Sequence, residues 1–236
     1  MNFQKMCFVT AMTLLVSGPA AAALIDFEDV GSLPGGGLGD NDALTDQYEA
    51  SDGVTFDGAF IEKSGEADAN PQGFLNDQNS DYDQQFLASP GLGDWFVRTG
   101  GEVGSRGGNG VYLSIIYSTA VNAASGQIWD IDGNNSQGTE QWDVRAYNGA
   151  NLIDSMLSPV GSTNGAGSLD GLPWTFNLSG AAFNRIDFVF TGTKDSGVGL
   201  GFDNFNTSSV TVPEPGTLAL LGLGLVGTFV ARRRKA

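Results

Sequence analysis

Between its two ends the chain has no sustained 3.6-residue apolar period, and breaks instead into short apolar or alternating runs that only a sheet can pair. The runs are Leu24–Glu28, Val54–Ile61, Trp95–Thr99, Val111–Ser118, Gln127–Ile131, Trp142–Asn148, Leu152–Leu157, Trp174–Leu178, Arg185–Thr191 and Leu200–Asn206. Gly, Asn, Asp and Ser separate them, the residues that most readily take up turn backbone. In Arg185–Thr191, Ile186, Phe188 and Phe190 fall on one face of a strand and Asp187 and Val189 on the other, a half-buried pattern. Asn148-Gly149 between two runs signals a hairpin, with Ala150 lengthening the turn. About ten strands at this spacing predict an all-β fold, an antiparallel, jelly-roll-like β-sandwich. Two long loops, Gly31–Ala50 and Ser64–Gly93, are expected to interrupt it.

The two ends are different in kind. Lys5 is the only charged side chain before Asp26, a mostly apolar stretch runs from Cys7 to Val16, and Gly18-Pro19 breaks it. Ala21 and Ala23 then offer small residues to a signal peptidase, so residues 1–23 read as a secretory signal peptide cut after Ala23. At the other end Pro213, Glu214 and Pro215 form an extended tripeptide, because proline fixes φ and disfavours helix before it. Gly216–Ala231 carries no charge and predicts a transmembrane helix, roughly 24 Å long at ~1.5 Å per residue. Arg232, Arg233, Arg234 and Lys235, in the basic tail 232–236, are the stop-transfer signal held on the cytoplasmic side.

Tripeptide, apolar run and basic end in that order resemble the PEP-CTERM sorting signal of Gram-negative bacteria that make extracellular polysaccharide. The resemblance covers residues 213–236 and implies recognition by an exosortase, a membrane-embedded cysteine protease, at Pro213–Pro215. It implies a precursor anchored in the inner membrane with its outer domain in the periplasm, and later a place on the cell surface or in the matrix. A plain anchor that is never cut has the same three parts.

The outer domain, 24–206, is joined to the tail by a polar stalk, 207–212. From Leu24 to Val212 there are 26 Asp and Glu against six Lys and Arg, leaving a net charge of −20. Such a surface repels nucleic acid and anionic lipid and attracts cations. The chain has no histidine, which excludes a Ser-His-Asp triad, a histidine base and imidazole metal sites. Its one cysteine, Cys7, lies in the signal peptide, so the mature chain has no disulfide, thiol nucleophile or cysteine metal site.

Ile25-Asp26-Phe27-Glu28, Gly53-Val54-Thr55-Phe56 and Gly201-Phe202-Asp203-Asn204-Phe205 resemble the ectodomains attached to PEP-CTERM tails, and carbohydrate-binding jelly-rolls in which first and last strands lie side by side. That resemblance implies a structural calcium held by Glu28 and Asp203, with Asn204 as a further oxygen ligand. Calcium takes six to eight oxygens, so backbone carbonyls would complete the set. Asp130-Ile131-Asp132-Gly133-Asn134 starts like an EF-hand loop but has Asn135 where glycine is needed and Gln141 where glutamate is needed. Asp77, Asn79, Asp81 and Asp83 alternate in a polar loop, and Gly104, Gly107, Gly108 and Gly110 lack the Lys-Ser/Thr of a phosphate loop.

Trp95, Trp129, Trp142 and Trp174 are either core or flat platforms for sugar rings. The combined expectation is a non-catalytic protein, binding or structural in an extracellular polysaccharide matrix. The alternative is a secreted glycan hydrolase working through paired carboxylates, which needs no histidine.

Overall fold

Two strands of unusual length organise the sheet, β6 (Val111–Trp129) and β11 (Trp174–Phe190), antiparallel neighbours along most of their course. The other strands are β1 (Leu24–Ile25), β2 (Ala43–Leu44), β3 (Val54–Asp57), β4 (Ala59–Lys63), β5 (Trp95–Thr99), β7 (Gly133–Asn134), β8 (Gly138–Thr139), β9 (Trp142–Asn148), β10 (Asn151–Leu157) and β12 (Gly201–Asn206). The structure is a computed structural model that describes residues 24–33, 36–64, 92–99, 110–129, 131, 133–134, 138–161, 172–194 and 198–206. All of these fall in one compact unit, Ala22–Val210. Pairing follows the order β10-β9-β11-β6-β12-β5-β4-β2, with β1 beside β12, β3 beside β6, and β7 with β8 as a separate pair. Every pairing is antiparallel.

The long strands do not lie flat. Phe176 and Phe188 stand twelve positions apart in β11, a distance of about 40 Å along a straight strand at ~3.3 Å per residue. Their ring centroids are 5.5 Å apart. The strand therefore doubles back and contributes one half to each of two layers. The turn lies where its pairing with β6 slips, between Ser179 and Arg185, and there both strands are exposed at Ser118–Ala120 and Ser179–Ala182. Strands that cross between layers through bulges are how orthogonal sandwiches make their corners. One layer is β3, the first half of β6, the second half of β11, β9 and β10. The other is the first half of β11, the second half of β6, β12, β5, β4 and β2.

Aromatic rings fill the space between. Phe202 of β12 meets Phe188 at 5.2 Å, Phe205 at 5.6 Å, Phe27 at 6.0 Å and Phe176 at 6.3 Å, and Phe27 meets Phe56 at 6.0 Å. Trp129 and Trp142 are fully buried, so these two are core and not sugar platforms. Trp95 and Trp174 are half-buried against the core.

The outer edge of the first half of β11 is covered by side chains. The Ser179 N–H donates to Asp154 Oδ2 at 2.8 Å and the Asn177 N–H to Met156 Sδ at 3.4 Å. A bulge in β10 between Leu152 and Asp154 accompanies this arrangement, which blunts an edge that could otherwise pair with another chain.

Several runs differ from the sequence reading. Val54–Ile61 is two strands, because Gly58 takes φ 79° and turns the chain. The hairpin after Asn148 has a two-residue loop, Gly149-Ala150, with Asn148 paired to Asn151 and Gly149 at φ 58°, so Ala150 completes the turn and does not lengthen it. The stretch Gly31–Ala50 carries structure: a 3-10 turn at Val30–Ser32, β2, and the start of the helix α1 (Glu49–Asp52), with Leu33, Leu44 and Tyr48 buried. The first and last strands do lie side by side, Leu24 opposite Asn206. Among the described residues no helix is long and apolar enough to cross a membrane. The signal peptide, the stalk, the expected span Gly216–Ala231 and the basic tail lie outside the described residues.

Candidate functional site

Two of the polar clusters among the described residues bear on function. At the first, β1 ends and Phe27, at φ 59°, drives its ring into the core against Tyr48, Phe56 and Phe202. Burying that ring leaves Asp26 and Glu28 exposed on either side of it. Glu28 Oε1 accepts the Trp95 N–H at 3.1 Å. A Cβ on Gly93 would stand 1.6 Å from the same oxygen, so glycine there makes room for the carboxylate.

Asp203, in β12, is 1% exposed. Its Oδ1 accepts the Asn204 N–H at 2.6 Å, and its Oδ2 accepts the Asn204 side-chain amide at 3.0 Å. That amide also donates to Gln127 Oε1 at 2.9 Å, and Asn204 itself sits at φ 52°. Burial pushes the Asp203 carboxyl up to about 8; the charges of Glu28 and Asp26 add to the rise, while the N–H groups of Asn204 and Gly93 oppose it. Glu28 and Asp203 thus feel one another's charge, and Asn204 turns its amide hydrogens toward Asp203. Among the described residues no group of three or more Asp, Glu, His or Cys lies close enough to hold a metal ion. Asp77, Asn79, Asp81, Asp83, Asp130 and Asp132 lie outside the described residues, as do Pro213, Glu214, Pro215, Arg232, Arg233, Arg234 and Lys235.

The second place is a cleft of about 440 Å³ lined by Asp57, Val111, Ser114, Ile116, Arg185 and Asp187, together with Tyr112 and Leu113. It follows from strand alternation: with Ile186, Phe188 and Phe190 packed inward, Arg185 and Asp187 lie on the opposite face, Arg185 partly exposed and Asp187 buried beside it. Ser114 Oγ donates to Asp187 Oδ1 at 2.8 Å, and Arg185 Nε lies 2.9 Å from the same oxygen. The Arg185 guanidinium also lies over the Tyr147 ring, 4.9 Å from its centroid. Sequence reasoning noted that Asp187 faces outward but did not connect it with Asp57, Ser114 or Ile116. Those belong to β3 and β6, and only the register shows that they meet.

Residues 211–235 match the model of the PEP-CTERM protein-sorting motif. The chain carries that motif. It covers Pro213–Pro215, Gly216–Ala231 and Arg232–Lys235, and it implies an exported protein processed by an exosortase. No curated protein matches the chain. Among solved structures, the CBM22-1 xylan-binding domain of Paenibacillus barcinonensis Xyn10C is similar, with 10% identity, 72% of this chain and 95% of that one covered, and a TM-score of 0.28. A carbohydrate-binding module of the β-sandwich superfamily is similar at 11% identity, with 72% and 62% covered and a TM-score of 0.29. Scores this low fix neither fold nor ligand; the all-β, sandwich-like architecture rests on the pairing and ring contacts above.

The Asp203 environment gives a pH dependence of definite sign. An unfolded aspartate titrates near 3.9. The folded value is higher, so the folded state holds the proton through the window between, and the stability this contributes is full below about pH 4 and lost as pH rises toward 8. Asp203→Asn cannot ionise. With chelator present, its melting temperature should gain steadily on the wild type from pH 4 to pH 8, and a constant difference across that window would contradict the assignment.

Proposed function

We propose that this chain is an exported, cell-surface-sorted, non-catalytic protein that binds or braces an extracellular polysaccharide matrix. The observation that carries the sorting half is the motif at 211–235. On this reading signal peptidase removes residues 1–23, and Gly216–Ala231 anchors the precursor in the inner membrane with Arg232–Lys235 on the cytoplasmic side. The outer domain, 24–206, then waits in the periplasm on the stalk 207–212 until an exosortase acts at Pro213–Pro215.

The non-catalytic half is supported by the cleft. A hydrolase of the two-carboxylate type works through a pair, one carboxyl giving a proton to the leaving group and the other serving as base or nucleophile. Of the two carboxyls in the cleft, Asp57 and Asp187, the second accepts from Ser114 and is paired with Arg185, the bonding of a fixed acceptor and not of a base or nucleophile. A calcium ion at Glu28 and Asp203 belongs to the same proposal; it requires the Asn204 side chain to rotate from the orientation in which its amide hydrogens face Asp203 and to present its oxygen instead. The ion's charge would hold Asp203 ionised, so in millimolar calcium the advantage of Asp203→Asn over the wild type at pH 8 should vanish or reverse. If the two curves stay as they were in chelator, no ion binds there.

The sorting test separates the parts of the tail. Replacing Pro213, Glu214 and Pro215 by alanine leaves the apolar run and Arg232–Arg234, so insertion should survive. Cleavage should stop, and fractionation with size analysis in a host carrying an exosortase should find a full-length, membrane-bound form. Equal release of the wild-type and triple-alanine proteins would overturn exosortase sorting and leave a simple anchor.

A further inference from the structure

The outer face of the layer β3–β6–β11–β9–β10 carries two rows of side chains that run across its strands. One row is Asp57, Ser114, Asp187, Arg145 and Ser155, each opposite the next on the neighbouring strand. The row beside it is Thr55, Ile116, Arg185, Tyr147 and Leu152, paired in the same way. At a strand spacing of ~4.8 Å the five strands make a platform about 19 Å across. The cleft opens at one end of it, and Arg185 lies between the cleft and the Tyr147 ring.

We propose that this platform is the binding site for an uncharged polysaccharide chain, laid across the strands from the cleft toward Tyr147 and Leu152. The proposal rests on the matrix-binding reading above and adds to it the place and the class of glycan.

Three observations converge on that class. The first is the mixture of surfaces. A sugar ring offers an apolar C–H face with hydroxyls around its edge, each hydroxyl both donor and acceptor. The platform answers with Ile116 and Leu152, 42% and 53% exposed, and the Tyr147 ring, set among carboxylates and guanidinium groups. Ligand pockets are built this way, mostly apolar with a few placed polar groups, and about 440 Å³ lies within their usual ~300–1,000 Å³.

The second observation is charge. Arg185 is paired with Asp187 and Arg145 with Asp143 at 2.7 Å, so the two arginines of the face are already neutralised where they stand. Neither stands as an unpaired cation, and the net charge of −20 over Leu24–Val212 disfavours approach of an anionic polymer. The paired guanidinium groups, with side chains 38% exposed at Arg185 and 33% at Arg145, still present N–H donors to hydroxyls.

The third observation is shape. The rows continue over three more strands beyond β6, on to the exposed Leu152 of β10 at the far side. An extended chain can follow them, whereas a single sugar would use only the cleft.

The test is affinity electrophoresis of the full-length chain in detergent through gels containing galactomannan, mixed-linkage β-glucan, xylan or alginate. The wild type should be retarded by at least one of the three neutral polymers and not by alginate. Ile116→Asp and Leu152→Asp, both at exposed positions, should each weaken that retardation about tenfold without moving the melting temperature. Glu49→Gln, on the exposed α1, should leave it unchanged. Retardation of the wild type by a neutral polymer that persists undiminished in both variants would overturn the platform while leaving matrix binding in place. Retardation by alginate alone would overturn the charge class. Retardation by none of the four would overturn platform and matrix-binding reading together.

Discussion

Closure of the two layers by phenylalanine rings is the interaction on which the rest of this domain depends. Cys7 is the one cysteine of the sequence, so no disulfide can form within the chain and burial must do the work that disulfides do in many secreted domains. Phe176, Phe188, Phe202, Phe205 and Phe27 are each fully buried, and a buried ring of this size contributes on the order of 1.5–3 kcal/mol. Because Phe176 and Phe188 belong to one strand, their contact also fixes where β11 folds over. That fold decides which residues of β6 and β11 face water. The platform rows and the cleft are consequences of a core packed behind them.

The same packing accounts for the acidic site at the other layer. Phe27 reaches the core only by taking a left-handed backbone angle, and this turns Asp26 and Glu28 outward beside the last strand. Asp203 is buried next to them with its oxygens bonded to Asn204. A buried carboxyl near two other acids is costly when ionised, and the domain keeps it through local hydrogen bonds. The two sites differ in this respect: the outer face pairs its carboxylates with arginine, whereas burial at the β1–β12 site favours the protonated, neutral form of Asp203, whose oxygens accept amide hydrogens.

Much of the fold was legible in the sequence because strand alternation is local. Trp95–Thr99 and Trp142–Asn148 have the bounds their patterns suggest, while Ile186–Phe190 is buried on both faces and not half-buried, since Asp187 and Val189 are covered as well as Phe188 and Phe190. The corner was not legible. Ser118, Thr119 and Ala120, and Ser179, Gly180, Ala181 and Ala182, are small and solvent-facing, which in a sequence looks like a loop between strands. In the structure they are continuous strand bent between layers. Gly31–Ala50 erred the other way, since its polar composition hid Leu33, Leu44 and Tyr48, which are buried singly and show no period. Glu28 and Asp203 could be named as neighbours only through a resemblance, while the Asp57–Ser114–Asp187 row needed a register between β3, β6 and β11 that no local pattern encodes.

The sorting motif and the domain contribute separate parts of the account, the one a route out of the cell and the other a surface to present there. That surface exists only if β11 doubles back. The most direct measurement is a double-mutant cycle in urea on Phe176→Leu and Phe188→Leu, which reads whether two rings twelve positions apart in one strand touch. A coupling of about 0.5–1.5 kcal/mol is expected for a contacting aromatic pair. Strictly additive losses would mean that the rings do not meet, that the strand runs on without folding over, and that the platform described above is not formed.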